Sequence, residues 1–406
     1  FTFNYVTGST NVNHDPDVGD HGSHVAGIAA ANDVPGSNVV GMAPDAQLVI
    51  MQVFTPGQGA QMPHILAALE DAMALGCDVA NLSLGSPAGF TSTDPEINAI
   101  YQRIADSDII VDIAAGNEGT SSYGNMWGTD LNPTEHMDNA TISSPATYAN
   151  AMAVGSIDNK IIPGVYFTLA DGTDVFYMDS VEYVYGETSA CLANLAGQEL
   201  EYVMVPGLGT EEDYAQVDVA GKIAVVKRGE ISFAEKALNG EYAGAAAVII
   251  WNNNTDYIFN FGMTTSTEDG LIPEIPVALI SLTDGEAMDA AESKTMTVAE
   301  ETGFRADIYG GQMSSFSSWG VSPDLRLVPD IAGVGGNVYS CYDNGQYGLM
   351  SGTSMASPQV AGVTALVLQY LREQFPDASE AEIRVLLDSL LMSTAVPTIA
   401  DASGVE

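Results

Sequence analysis

Strand-length apolar runs separated by helix-spaced segments fill the first 157 residues, and this alternation limits the fold more than any other feature. Gln47 to Phe54 (QLVIMQVF), Asp78 to Leu84 (DVANLSL) and Ile109 to Ala115 (IIVDIAA) have the length and apolar content of buried strands. Between the first two, His64 to Leu75 (HILAALEDAMAL) spaces its apolar residues as a helix does and is closed by Gly76. Glu96 to Ala105 predicts a further helix. Strand, helix, strand at this spacing implies an α/β fold on a mainly parallel sheet, because parallel neighbours need a crossover connection.

From about Asp158 to Arg305 the pattern gives way to short strands, Gly-rich turns and Tyr-rich segments, with Phe233 to Gly240 as one clear helix. After Arg305 the α/β character returns. It ends in two helices, Met355 to Gln374 and Ser379 to Leu391, with Ser379 as N-cap. The middle is therefore expected to be a mostly β domain, 158–305, inserted into one α/β domain made of 1–157 and 306–406.

Charge narrows the partners. The 406 residues carry 53 Asp and Glu against 11 Lys and Arg, a net charge of −42. Such a surface repels phosphate backbones and anionic membranes, which argues against nucleic acid as a partner. No apolar stretch is long enough to read as membrane-spanning. A hydrophobic share of 46% is that of a chain with packed cores. Cys77, Cys191 and Cys341 allow at most one bridge, so the fold is not a disulfide scaffold. Phe1 to Ser9 lacks the basic start and apolar core of a signal peptide. The composition fits a soluble, exported protein.

There are five histidines, and His is the commonest general base near neutral pH. His21 and His24 precede a run of small apolar residues, Val25 to Ala31, suited to a tightly packed helix. His21 would open that helix, where the positive dipole end disfavours imidazolium and leaves a neutral ring able to accept a proton. A pair of helix-capping histidines is the alternative. In Gly-Thr-Ser-Met-Ala-Ser-Pro, residues 352 to 358, Ser354 falls where a helix opens, with its own N–H among the unpaired donors of the first turn. Simple capping by Ser354 or Ser357 is the alternative there. Asn117 in Ala-Ala-Gly-Asn-Glu-Gly, residues 114 to 119, follows a buried strand, where open α/β sheets place ligand contacts. Its amide could donate to an oxyanion, or it could be a turn residue between glycines.

Together the three segments resemble the histidine, oxyanion and serine motifs of the subtilisin-like serine proteases, the subtilases, in that family's order. The resemblance extends through Asn81-Leu82-Ser83-Leu84-Gly85, a substrate-binding strand in the family, and through Ser314 to Asp330 (SSFSSWGVSPDLRLVPD). It implies a three-layer subtilisin-like domain and a serine endopeptidase acting on extracellular proteins. It further implies His21 as base, Ser354 as nucleophile, Asn117 as oxyanion donor, and His24 as a structural neighbour. Substrate would lie extended between walls made by Ser83, Leu84, Gly85, Ala114, Ala115 and Gly116. No cofactor is implied for the chemistry. Many subtilases hold structural calcium, which Asp15, Asp17 and Asp20 could bind, although a solvated acidic loop is the simpler reading. Gly221 to Gly229 (GKIAVVKRG), Ser232 to Lys236, Ala243 to Trp251 and Ile275 to Val277 resemble a protease-associated (PA) domain. Subtilases of the cell-envelope proteinase type carry that insertion between the Asn and the Ser.

The triad's acid is the missing part. Subtilase order is Asp, His, Ser, with the acid at a strand end in a motif such as Asp-Thr-Gly. Only 20 residues precede His21 and none carries that motif. The expectation is a chain truncated at both ends, with the acid upstream. Asp112 interrupts a buried strand, where an unpaired carboxylate costs several kcal/mol; it pairs locally or stays protonated, and a catalytic role is an alternative. Ile331 to Gly336 replaces the family's Ala-Pro-Gly, and Gln359 stands where His is common. A competing reading is a non-catalytic subtilase-like binding or adhesion protein using its PA domain.

Overall fold

A computed structural model describes residues 1–398 except 13–19, 33, 35–36, 38, 56–58, 87–94, 120–141, 149–150, 181–189, 255, 257, 259–260, 263–270, 308 and 323–324. The chain divides into two compact units, Phe1–Lys160 with Tyr309–Glu406, and Ile161–Ile308. The boundaries read from the sequence, 158 and 305, each fall three residues before those of the inserted unit, 161 and 308.

In the first unit four strands form a parallel sheet: β3 (Val79–Leu82), β4 (Ile110–Ala114), β5 (Met152–Asp158) and β6 (Ile331–Gly336), side by side in that order. A separate parallel pair joins β1 (Thr2–Asn4) to β2 (Ile50–Gln52). The eight-residue apolar run from Gln47 forms regular strand only over Ile50–Gln52 and Phe54–Thr55. The β2 edge away from β1 has no partner strand among the described residues, so the ladder stops early.

Alternation along β4 explains the layers. Ile110 packs with Leu368 and Leu371 of α4 (Thr353–Gln374) and Ile383 and Leu387 of α5 (Glu380–Thr394). The opposite residues, Val111 and Ile113, pack with Ile65 and Leu69 of α2 (Met62–Leu75) and Ile104 of α3 (Pro95–Ala105). Ile113 is fully buried, and side chains of this kind stabilise by roughly 1.5–3 kcal/mol each. The result is the expected three-layer α/β domain. Two ends match their sequence signals: Gly76 closes α2 at φ 73°, and Ser379 caps α5 with Glu382 in a capping box.

The helix α1 (His21–Ala30) packs against α4 and against a hairpin, β7 (Val338–Cys341) with β8 (Tyr347–Met350). Its small residues are needed there: a Cβ on Gly27 would come within 2.4 Å of Ser340 Oγ.

The second unit is mostly β among the described residues, as expected, and part of its sheet is parallel. Its seven-stranded closed barrel contains four parallel strands in succession, 199–204, 223–227, 247–251 and 277–280. Helices accompany them at Phe233–Tyr242 and Leu282–Ala290, capped by Ser232 and Ser281. The second helix buries only Gly285 and Met288, so it lacks the apolar periodicity that reveals a helix in sequence. All three cysteines are free thiols.

Candidate active site

A cleft of about 1720 Å³ in the first unit is lined by His21, Asn117 and Ser354. Three separate stretches of sequence therefore converge on one cavity. The helices α1 and α4, which bring His21 and Ser354 to it, pack directly on each other.

His21 is the first residue of α1. Burial lowers its pKa below the ordinary 6.5, so the ring is neutral and able to accept a proton at neutral pH. His24, one turn further on, is committed elsewhere. Its Nε2 lies 3.0 Å from Val338 O and 3.1 Å from Gly348 O, tying α1 to the hairpin. Asp20 is also occupied: its Oδ1 accepts the Asp343 N–H.

Ser354 is the second residue of α4, as the turn at Gly352 suggested. Its Oγ lies 3.4 Å from Ser83 O, while Ser83 Oγ donates to Ser354 O at 2.7 Å. The Asn117 amide is oriented by Thr353, whose N–H and hydroxyl both donate to Asn117 Oδ1, at 2.9 and 3.0 Å. That leaves Nδ2, a pure donor, for the cleft. Thr353 also accepts the Gly116 N–H, at 3.1 Å. Sequence reasoning passed over Thr353, although its place immediately before the serine was the available signal. It also passed over Glu118, which lines the cleft and accepts from Ser318 Oγ at 3.1 Å and Ser143 Oγ at 3.3 Å.

Of the expected walls, Ser83, Leu84, Gly85, Ala114 and Gly116 line the cleft. Ala115 does not. It is fully buried with Val111 and Ile113 in the α2–α3 layer, because one step along a strand reverses the face. Asp112 is likewise absent from the cleft and lies on the α4–α5 side, facing Thr364 and Asp388. Asp15 and Asp17 lie outside the described residues, and among the described residues no three His, Cys, Asp or Glu side chains cluster to hold a metal ion.

Away from His21 and Ser354 the cleft runs on between β2 and β3. Residues 47–54 form one wall and 77–85 the other, with side chains from α2 and α4 also lining it. Neither strand has a partner on this side among the described residues. Two open parallel edges between two helical layers make a slot of the kind one extended strand fills.

The family model described as "Subtilase family" matches residues 2–404. The chain is a subtilase. It is 34% identical over 420 residues to the PII-type proteinase of Lacticaseibacillus paracasei, covering 98% of this chain and 22% of that protein. It is 30% identical over 384 residues to the C5a peptidase of Streptococcus pyogenes serotype M3 (strain ATCC BAA-595 / MGAS315), covering 93% of this chain and 31% of that one. The subtilase thus spans about a fifth to a third of the length of these relatives. Its fold is similar to that of the psychrophilic subtilisin-like protease Apa1 from Pseudoalteromonas sp. AS-11, with a TM-score of 0.50 at 20% identity, over 95% of this chain and 80% of that one. No helix among the described residues is long and apolar enough to cross a membrane.

Proposed function

We propose that this subtilase is a serine endopeptidase in which Ser354 is the nucleophile, His21 the general base and Asn117 an oxyanion donor. The observation that carries the reading is the convergence of these three residues on one cleft, with the Asn117 amide already oriented by Thr353. Ser354 Oγ attacks the peptide carbonyl carbon, and His21 takes the hydroxyl proton and returns it to the leaving amine. Asn117 Nδ2 and the Ser354 N–H hold the tetrahedral oxyanion. The peptide lies extended along Ser83, Leu84 and Gly85. The scheme uses no metal or cofactor, and its substrates are extracellular proteins. The barrel unit serves as a PA domain.

The acid that orients His21 is supplied, in this reading, by a strand seated in the slot between β2 and β3. The slot supports it in two ways: both walls are strand edges, and the cavity is continuous with the one holding His21. The test is labelling with a fluorophosphonate. Label is expected on Ser354 and is expected to disappear in Ser354→Ala. Label elsewhere, or label undiminished in that variant, would defeat the assignment. Folded protein that takes no label would favour the binding or adhesion reading.

Asn117→Leu keeps the side chain's bulk and removes the donor. Turnover on a peptide substrate should fall by roughly 10²–10³-fold, the loss subtilisin shows when its own asparagine donor is removed, with KM little changed. A loss expressed in KM alone would place Asn117 in ground-state binding instead.

A further inference from the structure

We propose that Asn81 is a positioning residue for the nucleophile, acting through Ser83 to hold the carbonyl of Ser354; the proposal rests on the endopeptidase reading above. Three hydrogen bonds run in one direction from α4 to β3 and back. Ser357 Oγ donates to Asn81 Oδ1 at 2.7 Å, Asn81 Nδ2 donates to Ser83 Oγ at 3.0 Å, and Ser83 Oγ donates to Ser354 O at 2.7 Å. The spacing makes this possible. Asn81 and Ser83 are two apart along the β3 segment and share a face, while Ser354 and Ser357 are three apart on a helix and share a face.

The relay meets a specific need. In an α-helix the carbonyl of residue 354 would accept from the N–H of residue 358. Residue 358 is proline, which has no N–H and whose ring crowds the carbonyl four residues back. Ser354 O therefore lacks its helical donor, and Ser83 Oγ stands in for it. A carbonyl can only accept, so Ser83 must donate to it. With its hydrogen so directed, Ser83 Oγ accepts from the Asn81 amide N–H, while Asn81 Oδ1 accepts from the Ser357 hydroxyl. The direction of the Ser354 peptide, and with it the position of the nucleophile, is thus set from β3.

Asn81→Asp tests the polarity of the relay with nearly unchanged shape. A carboxylate cannot donate to Ser83 Oγ, so the Ser83 hydroxyl turns to the new carboxylate and releases Ser354 O. The rate of fluorophosphonate labelling, and kcat on a peptide, should fall by roughly tenfold to a hundredfold while KM stays within about threefold. Ser83→Ala, a second variant that introduces no charge, should show the same loss of labelling rate. Pro358→Ala restores an N–H for Ser354 O, so in that background each substitution should cost less than about threefold. A purely structural role for Asn81 would not respond to Pro358. Equal losses in both backgrounds, with the parent labelled at Ser354, would overturn the proposal alone. A parent unlabelled at Ser354 would defeat the endopeptidase reading and this proposal with it.

Discussion

Ser354→Ala is expected to lower kcat on a peptide substrate by about 10⁶-fold, the size of loss recorded for subtilisin without its serine. His21→Ala should cost about as much, and the double variant no more than either alone. In the proposed mechanism the two groups act in one event. Without the hydroxyl there is no nucleophile for His21 to serve, and without the ring the hydroxyl keeps its proton. A residual rate of about 10³-fold over water should survive from the oxyanion donors and substrate positioning, which neither substitution touches. Kinetics on one peptide with all three variants decide the matter. Losses that simply multiply in the double variant would mean that His21 and Ser354 work independently, and the assignment of His21 as base would fall.

The second large effect concerns stability rather than chemistry. Asp112 is fully buried on β4, and among the described residues neither carboxyl oxygen has a hydrogen-bond partner. Burial pushes its pKa from the ordinary 3.8 up to about 7; the Thr364 hydroxyl opposes that shift and Asp388 adds to it by repulsion. Between those two pH values the folded chain holds a proton that the unfolded chain has released. Stability must therefore fall as pH rises across this window and level off above 7, a total cost of about 4 kcal/mol. Asp112→Asn has no proton to lose. From pH 5.5 to pH 8.5 the parent should lose about 2 kcal/mol relative to this variant in urea unfolding. Asp388 and Asp330, both raised by burial, also titrate on this side of the sheet, with Arg384 and Arg326 opposing them. They are present in both proteins, so their own titrations cancel in the difference and only the Asp112–Asp388 repulsion remains, as part of the Asp112 effect. Parallel pH curves for parent and variant would show that Asp112 is ionised in the folded chain.

These expectations divide unevenly between what the chain displays and what it conceals. The openings of α1 and α4 were legible because small apolar helices and a Gly-Thr-Ser turn are local patterns. The face of Ala115 was misread although alternation was the governing rule: Ala114 lines the cleft, and the next residue turns into the core. Thr353, Glu118 and the Asn81 relay depend on partners up to 276 positions away, and no local pattern reports such contacts. The helix Leu282–Ala290 escaped notice because its stability comes from a capping serine and two buried residues rather than from an apolar stripe. Gln359, a departure from the family's histidine, accepts the Val334 N–H across the α4–β6 contact, so the substitution keeps a polar tie between helix and sheet.

The place of the barrel unit in the chain bears on the order in which the molecule is made. Strands β5 and β6 lie side by side, yet residues 161–308 separate them. Within that unit Ile161–Gly164 pairs with Gly303–Ala306, which draws its two ends together. If the barrel closes first, the loop that β6 must close to reach β5 becomes several-fold shorter, easing its entropy cost by about 1–2 kcal/mol. Non-local parallel pairings form slowly in any case. The serine enters α4 only after β6, so a chain emerging from synthesis would complete its barrel before His21 and Ser354 meet. A nascent protease built this way cannot cut anything until nearly all of these residues exist.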